Sequence, residues 1–369
     1  MATTSEPQHL GSSPGKKAAG LAPWIESRFP LSGVLEFLRH KEVPWHKGTF
    51  LYLFGGIALL LFGVQVVTGI LLMFYYVPAP DQAYESILLI SARVPFGWLI
   101  RSIHSWSANL MILALFIHLF SVFFMRAYRP PRELVWVSGF ILLALAMTFG
   151  FSGYLLPWTK LSYFATKIGT DVTKILPVVG EGMRNFLLGA NEISGPTLTR
   201  FFALHVAILP PIFTIVLGVH LLLIQLLGMS QPMGHTEKKG IPFIPNFVLR
   251  ETIVWVVVLG LLAILAVYFP WEVGEKADPL ASAPAGIRPE WFFTFMSQSL
   301  KYIPPKVLGM EGEALGVYVI GAGGLIFFLT PFWDRWSREG RRHWLVTAFG
   351  VTVIVFLVTM TSLAYLKPY

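Results

Sequence analysis

The sequence predicts an all-α integral membrane protein with seven transmembrane helices, in which a four-helix bundle is followed by a three-helix carboxyl-terminal part. Of the 369 residues, 55% are hydrophobic and only 13% are charged, which is about half the charge of an ordinary soluble domain. Mean hydropathy is +0.65. Seven apolar stretches approach or exceed the roughly 20 residues that a helix needs to cross a bilayer. These observations exclude a soluble enzyme.

The seven apolar stretches define the predicted spans and the loops between them. Two connections, residues 159–198 and 271–314, are long and rich in Pro, Gly and apolar residues, so we expect them to fold back onto the outer membrane face. The predicted spans are Phe50–Val77, Trp98–Met125, Leu134–Trp158, Thr199–Gly228, Thr252–Pro270, Leu315–Trp333 and His343–Tyr365.

The first 47 residues form an amino-terminal segment that is not a cleavable signal. Its basic pair, Lys16 and Lys17, is followed by no continuous apolar core of the kind that a secretory signal contains. Four apolar residues recur further along at helical spacing among charged residues, which predicts an amphipathic helix on the membrane surface. They are Leu31, Val34, Leu35 and Leu38.

Positive charge is distributed unevenly between alternate loops, and this predicts the orientation. Of the 28 Lys and Arg residues, 16 lie in the amino-terminal segment or in the loops after the second, fourth and sixth spans. Cytoplasmic loops carry such an excess, so we expect a cytoplasmic amino terminus and an outer carboxyl terminus. This topology explains the net charge of +8 without a nucleic-acid partner. The basic loop residues are Arg126, Arg129, Arg132, Lys238, Lys239, Arg250, Arg335, Arg338, Arg341 and Arg342.

Four histidines lie inside the predicted spans, His104 and His118 in the second, His205 and His220 in the fourth. Their intervals of 14 and 15 residues correspond to roughly 21 Å along a helix and place each pair near one helix face. Both spans run in the same direction, so His104 faces His205 and His118 faces His220. Two imidazoles on facing helices supply the axial ligands of an electron-transferring haem. The pattern predicts two haems b, the outer held by His104 and His205 and the inner by His118 and His220.

The longer interval in the fourth span has a local explanation. Pro210 and Pro211 lie between its two histidines and lack the N–H groups that an α-helix requires. We expect a kink at this point that absorbs the extra residue.

Glycines repeat the 14-residue interval of the first histidine pair. Gly55 and Gly69 occur in the first span, and Gly139 and Gly153 in the third. Small residues allow a flat macrocycle or another helix to approach the backbone closely. Contact with the haem edges is the interpretation that the shared interval favours, and ordinary helix packing is the alternative.

The absence of cysteine limits how a prosthetic group can be held. It excludes disulfides, cysteine-bound iron–sulfur clusters and thioether-linked haem, so the two haems b would be bound non-covalently. Arg101 and Arg200 lie about one turn outward of the outer histidine pair. They are suited to bind haem propionates, and the alternative is that they are ordinary residues of the membrane interface.

Two other classes of membrane protein explain part of this pattern. In a transporter, intramembrane histidines relay protons, but such a protein has no need of glycines at matched intervals. A dihaem membrane anchor of a dehydrogenase explains the histidines and leaves the loop with the sequence PEWFF at 289–293 without a role. A count of bound haem separates the transporter from the other two.

Several long motifs resemble the cytochrome b family of quinol–cytochrome oxidoreductase (bc-type) complexes. They are GWLIRSIHSWSANL around His104, GYLLPW at 153–158, TLTRFFALH ending at His205, and PEWFF at 289–293. The 15-residue histidine interval and the seven spans are similar to cytochrome b6 fused to subunit IV. We therefore divide the chain into an amino-terminal segment (1–47), a b6-like haem-binding part (48–230) and a subunit IV-like part (240–369).

The resemblance implies a quinol–cytochrome c-type reductase that translocates protons and is not complete without other subunits. Quinol would be oxidised near the outer face, one electron passing to a Rieske iron–sulfur protein and the other through the two haems to an inner quinone site. The expected partners are the Rieske protein, a c-type cytochrome, quinone, lipid and a second copy of the complex. The expected location is the inner (plasma) membrane of a bacterium.

The resemblance also implies a quinol site in the outer loops. The family motif PEWY corresponds to Pro289, Glu290, Trp291 and Phe292, and the glutamate would accept a proton from quinol. A carboxylate in an apolar loop has a raised pKa and can exchange protons near neutral pH. The same pocket would be lined by Tyr163, Phe164 and Ile168.

This chain departs from the family pattern at several positions. Phe292 replaces a tyrosine, and Leu53 replaces a cysteine that binds a third haem covalently in cytochrome b6. A covalent third haem is thereby excluded, whereas a non-covalent one is not. Gln225 and Leu226 replace basic residues that follow the inner ligand, and Ser121 replaces an arginine. This leaves Arg126 and Arg129 as the candidate propionate partners.

Overall fold

The computed structural model describes residues 20–233, 240–284 and 286–366, and these are mostly helical. Predictions for residues 1–19 and for Lys238 and Lys239 lie outside the described residues. In chain order the helices are α1 (Leu21–Glu26), α2 (Leu31–His40), α3 (Leu53–Met73), α4 (Ala83–Ala92), α5 (Gly97–Phe124), α6 (Glu133–Tyr154), α7 (Lys160–Val172), α8 (Gly180–Leu188), α9 (Gly195–Ala203), α10 (Leu209–Leu227), α11 (Val248–Tyr268), α12 (Trp291–Leu300), α13 (Gly312–Phe328), α14 (Thr330–Trp333), α15 (Arg335–Arg338) and α16 (Trp344–Leu366).

Six helical segments of the described chain are long and apolar enough to cross a membrane. They are Thr49–Met73, Gly97–Phe124, Glu133–Tyr154, Gly195–Leu227, Phe243–Tyr268 and Trp344–Leu366. Each coincides with a predicted span, and α2 coincides with the predicted amphipathic helix.

The predicted sixth span differs from the structure at its end. Helix α13 has 17 residues and stops at Phe328, whereas the prediction continued to Trp333. Pro331 lies in the first turn of the separate short helix α14, a position that proline favours because its missing N–H has no helical partner there. The apolar pattern thus runs across two helices.

The four-helix bundle consists of α3, α5, α6 and the continuous segment α9–α10, and it is held by an apolar core. Helix α3 packs on α5, α6 packs on α10, and α11 covers α3 and α5. In the subunit IV-like part, α12 packs on α16 and α13. The buried core consists of Leu61, Met111, Leu142, Ala146 and Phe213 from the bundle and Leu262 from α11.

A second cluster joins the b6-like part to the carboxyl-terminal part. Phe123 and Trp136 pack with Phe327 in a buried aromatic group. Beside it, the buried side chains of Arg126 and Asp334 form an ion pair at 3.8 Å between Nε and Oδ2. Both members of this pair have further hydrogen bonds. Asp334 accepts from the hydroxyls of Tyr128, at 2.7 Å, and Ser337, and Nη2 of Arg126 donates to the hydroxyl of Thr347. A buried pair of this kind is costly to break.

Both long loops are folded, and they contact each other. The first contains α7 and α8, and the second contains α12 and a short hairpin of β3 (Lys306–Val307) and β4 (Met310–Glu311). The Ala277 N–H donates to the Trp158 carbonyl at 3.0 Å, and the Lys160 N–H donates to Glu275 at 2.8 Å. At the other end of the molecule, β1 (Glu42–Pro44) pairs antiparallel with β2 (Gly240–Pro242).

Candidate functional site

His104 and His205 face each other across the bundle. Their ring centroids are 6.4 Å apart and their planes are inclined by 73°. Two imidazoles that bind one metal from opposite sides, at metal–nitrogen distances of about 2 Å, hold their centroids about 6 Å apart. The spacing of this pair therefore fits one metal ion held between them.

His205 lies in a π-helical turn, Leu204–Ile208, that connects α9 to α10. The Leu209 N–H donates to the Leu204 carbonyl, five residues back. Pro210 and Pro211 supply no N–H, so the preceding carbonyls lose their ordinary α-helical donors. The wide turn absorbs one residue, as the sequence predicted, and the 15-residue interval to His220 acts like an interval of 14.

The four glycines of the repeated interval each contact one of the four histidines. A Cβ built on Gly153 would lie 2.6 Å from Cε1 of His205, closer than carbon atoms approach. The corresponding distances are 3.1 Å from Gly55 to His118, 3.1 Å from Gly139 to His220 and 3.3 Å from Gly69 to His104. The glycines therefore make room for the imidazole rings. Their predicted contact with haem edges stays a prediction.

Three of the four imidazoles are oriented by a hydroxyl group. Nδ1 of His104 lies 2.9 Å from Oγ1 of Thr68, that of His220 lies 2.9 Å from Oγ of Ser138, and that of His205 lies 3.1 Å from Oγ of Ser152. Sequence reasoning missed these residues. A signal was present, since each immediately precedes one of the four glycines.

The two arginines predicted to bind propionates contact protein carbonyls. Nε of Arg101 donates to Ser91 at 2.9 Å, and its Nη2 donates to the Trp271 carbonyl. Nη1 of Arg200 donates to the carbonyls of Asn185 and Phe186. Both guanidinium groups thus secure loops at the level of the His104–His205 pair.

Arg126 and Arg129 differ in whether a carboxylate of the protein balances their charge. Arg126 is 1% exposed and is paired with Asp334, so its charge is compensated within the protein. Nη2 of Arg129 donates to the Gln231 carbonyl at 2.9 Å. Of the two propionate candidates, Arg129 is the one without a carboxylate partner among the described residues.

The PEWFF loop places Glu290 immediately before α12, where it is partly buried. Burial raises the pKa of the Glu290 carboxyl to about 7. Nε1 of Trp291 donates to Oδ1 of Asn109 at 2.8 Å, which ties the loop to α5. Phe292 is 4% exposed, and its ring lies against Gly150 of α6. Sequence reasoning did not identify Asn109.

The three predicted lining residues on α7 have unequal surroundings. Tyr163 and Phe164 belong to a buried cluster with Trp158 and Phe201, against which Ile287 of the PEWFF loop packs. Ile168 is 49% exposed. The structure thus places two of the three residues in the cluster against which the segment before Glu290 packs.

A cavity of about 1070 Å³ lies at the amino-terminal end of α3, close to Gly55, the glycine that contacts His118. It is lined partly by Leu53, the residue that stands where cytochrome b6 has its haem-binding cysteine. Two aromatic and two basic residues also line it, and these are Trp45, Phe247, Lys47 and Arg250.

Comparison with known proteins gives consistent matches over both parts of the chain. The family model described as Cytochrome b/b6/petB matches residues 41–228, and that described as Cytochrome b(C-terminal)/b6/petD matches residues 276–368. A cytochrome bc complex cytochrome b subunit from Chlorobaculum thiosulfatiphilum is 48% identical over 354 residues, which are 95% of this chain and 82% of that protein.

Cytochrome b6 proteins match a shorter share of this chain. That of Heliomicrobium gestii is 43% identical over 211 residues, 57% of this chain and 99% of its own length. A chain of a hyperthermophilic respiratory Complex III has a TM-score of 0.81 at 28% identity and covers 95% of this chain and 92% of its own. The chain therefore belongs to the cytochrome b/b6 family, and it carries a b6-like part and the family's carboxyl-terminal part in one polypeptide.

Proposed function

We propose that this protein is the dihaem cytochrome b subunit of a quinol–cytochrome c-type oxidoreductase complex that translocates protons. His104 and His205 would hold the outer haem b, and His118 and His220 the inner one. When bound, these haems supply the one-electron carriers that connect an outer quinol site to an inner quinone site. The observation that carries the proposal is the pairing of four histidines, each against its own glycine.

The outer reaction would use the PEWFF loop. Quinol oxidation releases two protons and two electrons, and one electron would leave to a Rieske iron–sulfur protein. The Glu290 carboxylate is suited to accept a proton, because burial raises its pKa to about 7 and a base of that pKa is half ionised near neutral pH. The hydrogen bond from Trp291 to Asn109 would keep the glutamate in place.

The inner reaction would use the cavity that Leu53 and Arg250 line. Its apolar and aromatic walls fit a quinone ring, and its basic residues fit the negative charge that develops on reduction. Lys47 and Arg250 also lie on the side that the charge distribution predicts to be cytoplasmic. The amino terminus would then be cytoplasmic and the carboxyl terminus outside, in a bacterial inner membrane.

The proposed partners follow from what the chain lacks. It has no cysteine, so an iron–sulfur cluster held by cysteine and a covalent c-type haem must come from other subunits. A Rieske protein and a c-type cytochrome are the partners that complete the reaction. We expect the complex to be a dimer, as in the family.

A haem count tests the proposal. The purified complex is examined by its reduced-minus-oxidised spectrum and by a pyridine haemochrome count per chain. We expect two b-type haems, one of which is lost in His118→Ala and neither in His40→Ala, a change at an exposed histidine of α2. No haem would overturn the proposal in favour of a proton-relay transporter, and a single haem would also contradict it.

A further inference from the structure

One buried nitrogen in the histidine bundle has no partner. Nδ1 of His118 is inaccessible to solvent and makes no hydrogen bond within the described chain. The other three histidines each have a Ser or Thr hydroxyl within 3.1 Å of Nδ1. A buried polar nitrogen without a partner is uncommon and costs free energy, so this asymmetry requires an explanation.

The hydroxyl partners act as acceptors because their own protons are already donated. Thr68 donates to the Val64 carbonyl at 2.6 Å, Ser138 to Leu134 at 2.8 Å and Ser152 to Phe149 at 3.2 Å. Toward the imidazole, each hydroxyl oxygen can then only accept a hydrogen bond, which the Nδ1–H group donates. This fixes the proton on Nδ1 and leaves Nε2 with its lone pair free for a metal.

The sequence explains why His118 is the exception. Thr68, Ser138 and Ser152 directly precede Gly69, Gly139 and Gly153, the glycines that contact the same three imidazoles. At the fourth site the glycine that contacts His118 is Gly55, and the residue before it is Phe54.

No nearby hydroxyl on the helix of His118 replaces the missing partner. The Ser121 hydroxyl, three residues on, donates to the His118 carbonyl at 2.7 Å and does not approach its ring nitrogen. The unpaired Nδ1 is therefore a consequence of the phenylalanine at 54.

We infer that Thr68, Ser138 and Ser152 are positioning residues for three haem ligands, and that Phe54 leaves His118 as the one ligand without this support. This inference rests on the proposed function. A hydrogen bond from Nδ1–H strengthens the donation of electrons from Nε2 to iron and so favours the ferric state. The outer pair has two hydroxyl-supported ligands, His104 and His205, whereas the inner pair has one, His220. The inner iron would therefore hold its electron more tightly than it would if His118 also had a hydroxyl partner. The asymmetry thus favours electron transfer from the outer to the inner haem.

The test is a redox titration of the two haems in the purified complex, followed by haem absorbance and by the low-spin ferric EPR signal. Ser138→Ala is expected to raise the potential of one haem component, and Phe54→Ser to lower that of the same component. Ser152→Ala should raise the potential of the other haem component. A tenfold change in the ratio of ferric to ferrous binding affinity corresponds, for a one-electron couple, to a shift of about 59 mV.

Thr148→Ala is the matched control. Thr148 lies on α6 with the two serines, four residues from Ser152 and ten from Ser138, and donates in the same way to the Ala144 carbonyl, but it is exposed and contacts neither ligand by a hydrogen bond among the described residues. The inference is overturned if the serine variants move the potentials no further than this control, or if Ser138→Ala and Phe54→Ser affect different components. If Phe54→Ser loses haem, the two serine variants decide the question alone. A wild-type complex without two haems would instead refute the proposed function, before any variant is compared.

Discussion

The substitution Gly153→Ala probes the closest approach in the histidine bundle. Its added Cβ would lie 2.6 Å from Cε1 and 3.1 Å from Nδ1 of His205. The ring cannot easily move away, because Nδ1 is hydrogen-bonded to Ser152 and Phe149 makes a T-shaped contact with the ring at 5.5 Å between centroids. Overpacking costs about 1–3 kcal/mol, and replacing a helical glycine by alanine recovers about 1 kcal/mol. We expect a net loss of up to about 2 kcal/mol, with displacement of the haem ligand.

The remaining glycines provide a graded series and a control. Gly55→Ala and Gly139→Ala, at 3.1 Å, should be milder than Gly153→Ala, and Gly69→Ala, at 3.3 Å, the mildest of the four. At Gly63, on the same helix as Gly55, a Cβ would meet nothing within 4 Å, so its alanine variant should be neutral or stabilising. The assay is the temperature at which the purified complex loses its Soret absorbance. Equal midpoints for Gly153→Ala and Gly63→Ala would refute the steric argument.

Three further predictions concern the subunit IV-like part and its contacts. Asp334→Asn leaves Arg126 buried without a counter-charge, which should cost about 3–5 kcal/mol in the free energy of unfolding measured with denaturant. Because burial raises the pKa of Glu290 to about 7, the rate of quinol oxidation should fall as the pH drops below 7 and the carboxylate is protonated. Glu290→Gln should abolish that dependence while both haems are retained. Phe292→Tyr adds an oxygen to the ring atom that lies against Gly150, and overpacking should cost about 1–3 kcal/mol, seen as a lower melting temperature.

Each of these three has a control at an exposed site. Glu339→Gln breaks an exposed pair with Arg341 and should cost no more than about 1 kcal/mol. Glu275→Gln removes an acid that is 80% exposed and should leave the pH profile unchanged. Phe332→Tyr, at a ring that is half exposed, should be tolerated. A variant that behaves like its control contradicts the corresponding prediction.

Periodic features of the sequence were sufficient to predict the bundle. Length and hydropathy located the six helical segments of the described chain that can cross a membrane, because each of these apolar stretches approaches or exceeds the thickness of a bilayer. The 14-residue intervals of the histidines and glycines predicted which residues share a helix face, because a helix has a fixed period. The pairing of Gly55 with His118, or Gly153 with His205, follows from those faces once the helices pack.

Contacts between distant segments could not be predicted in this way. Arg126 was a propionate candidate because Ser121 replaces the family's arginine, and no feature of the sequence indicated its pairing with Asp334, more than 200 residues later. Arg101 contacts the Trp271 carbonyl for a similar reason, since the second long loop folds back over α5. No periodicity records such partners, because they depend on how loops of irregular structure fold.

The π-helical turn at His205 shows how a local rule produces the geometry of the whole site. An interval of 15 residues in a regular helix would rotate His220 by about 60° from His205, whereas 14 residues rotate it by about 40° in the opposite sense. The partners His104 and His118 are 14 residues apart, so only one of these rotations matches. Pro210 and Pro211 withhold the donors of an ordinary turn, and the resulting wide turn removes the extra residue at the ligand itself. Turns of this kind recur at functional sites, and here the site requires one because the histidine intervals of its two ligand-bearing helices differ by a single residue.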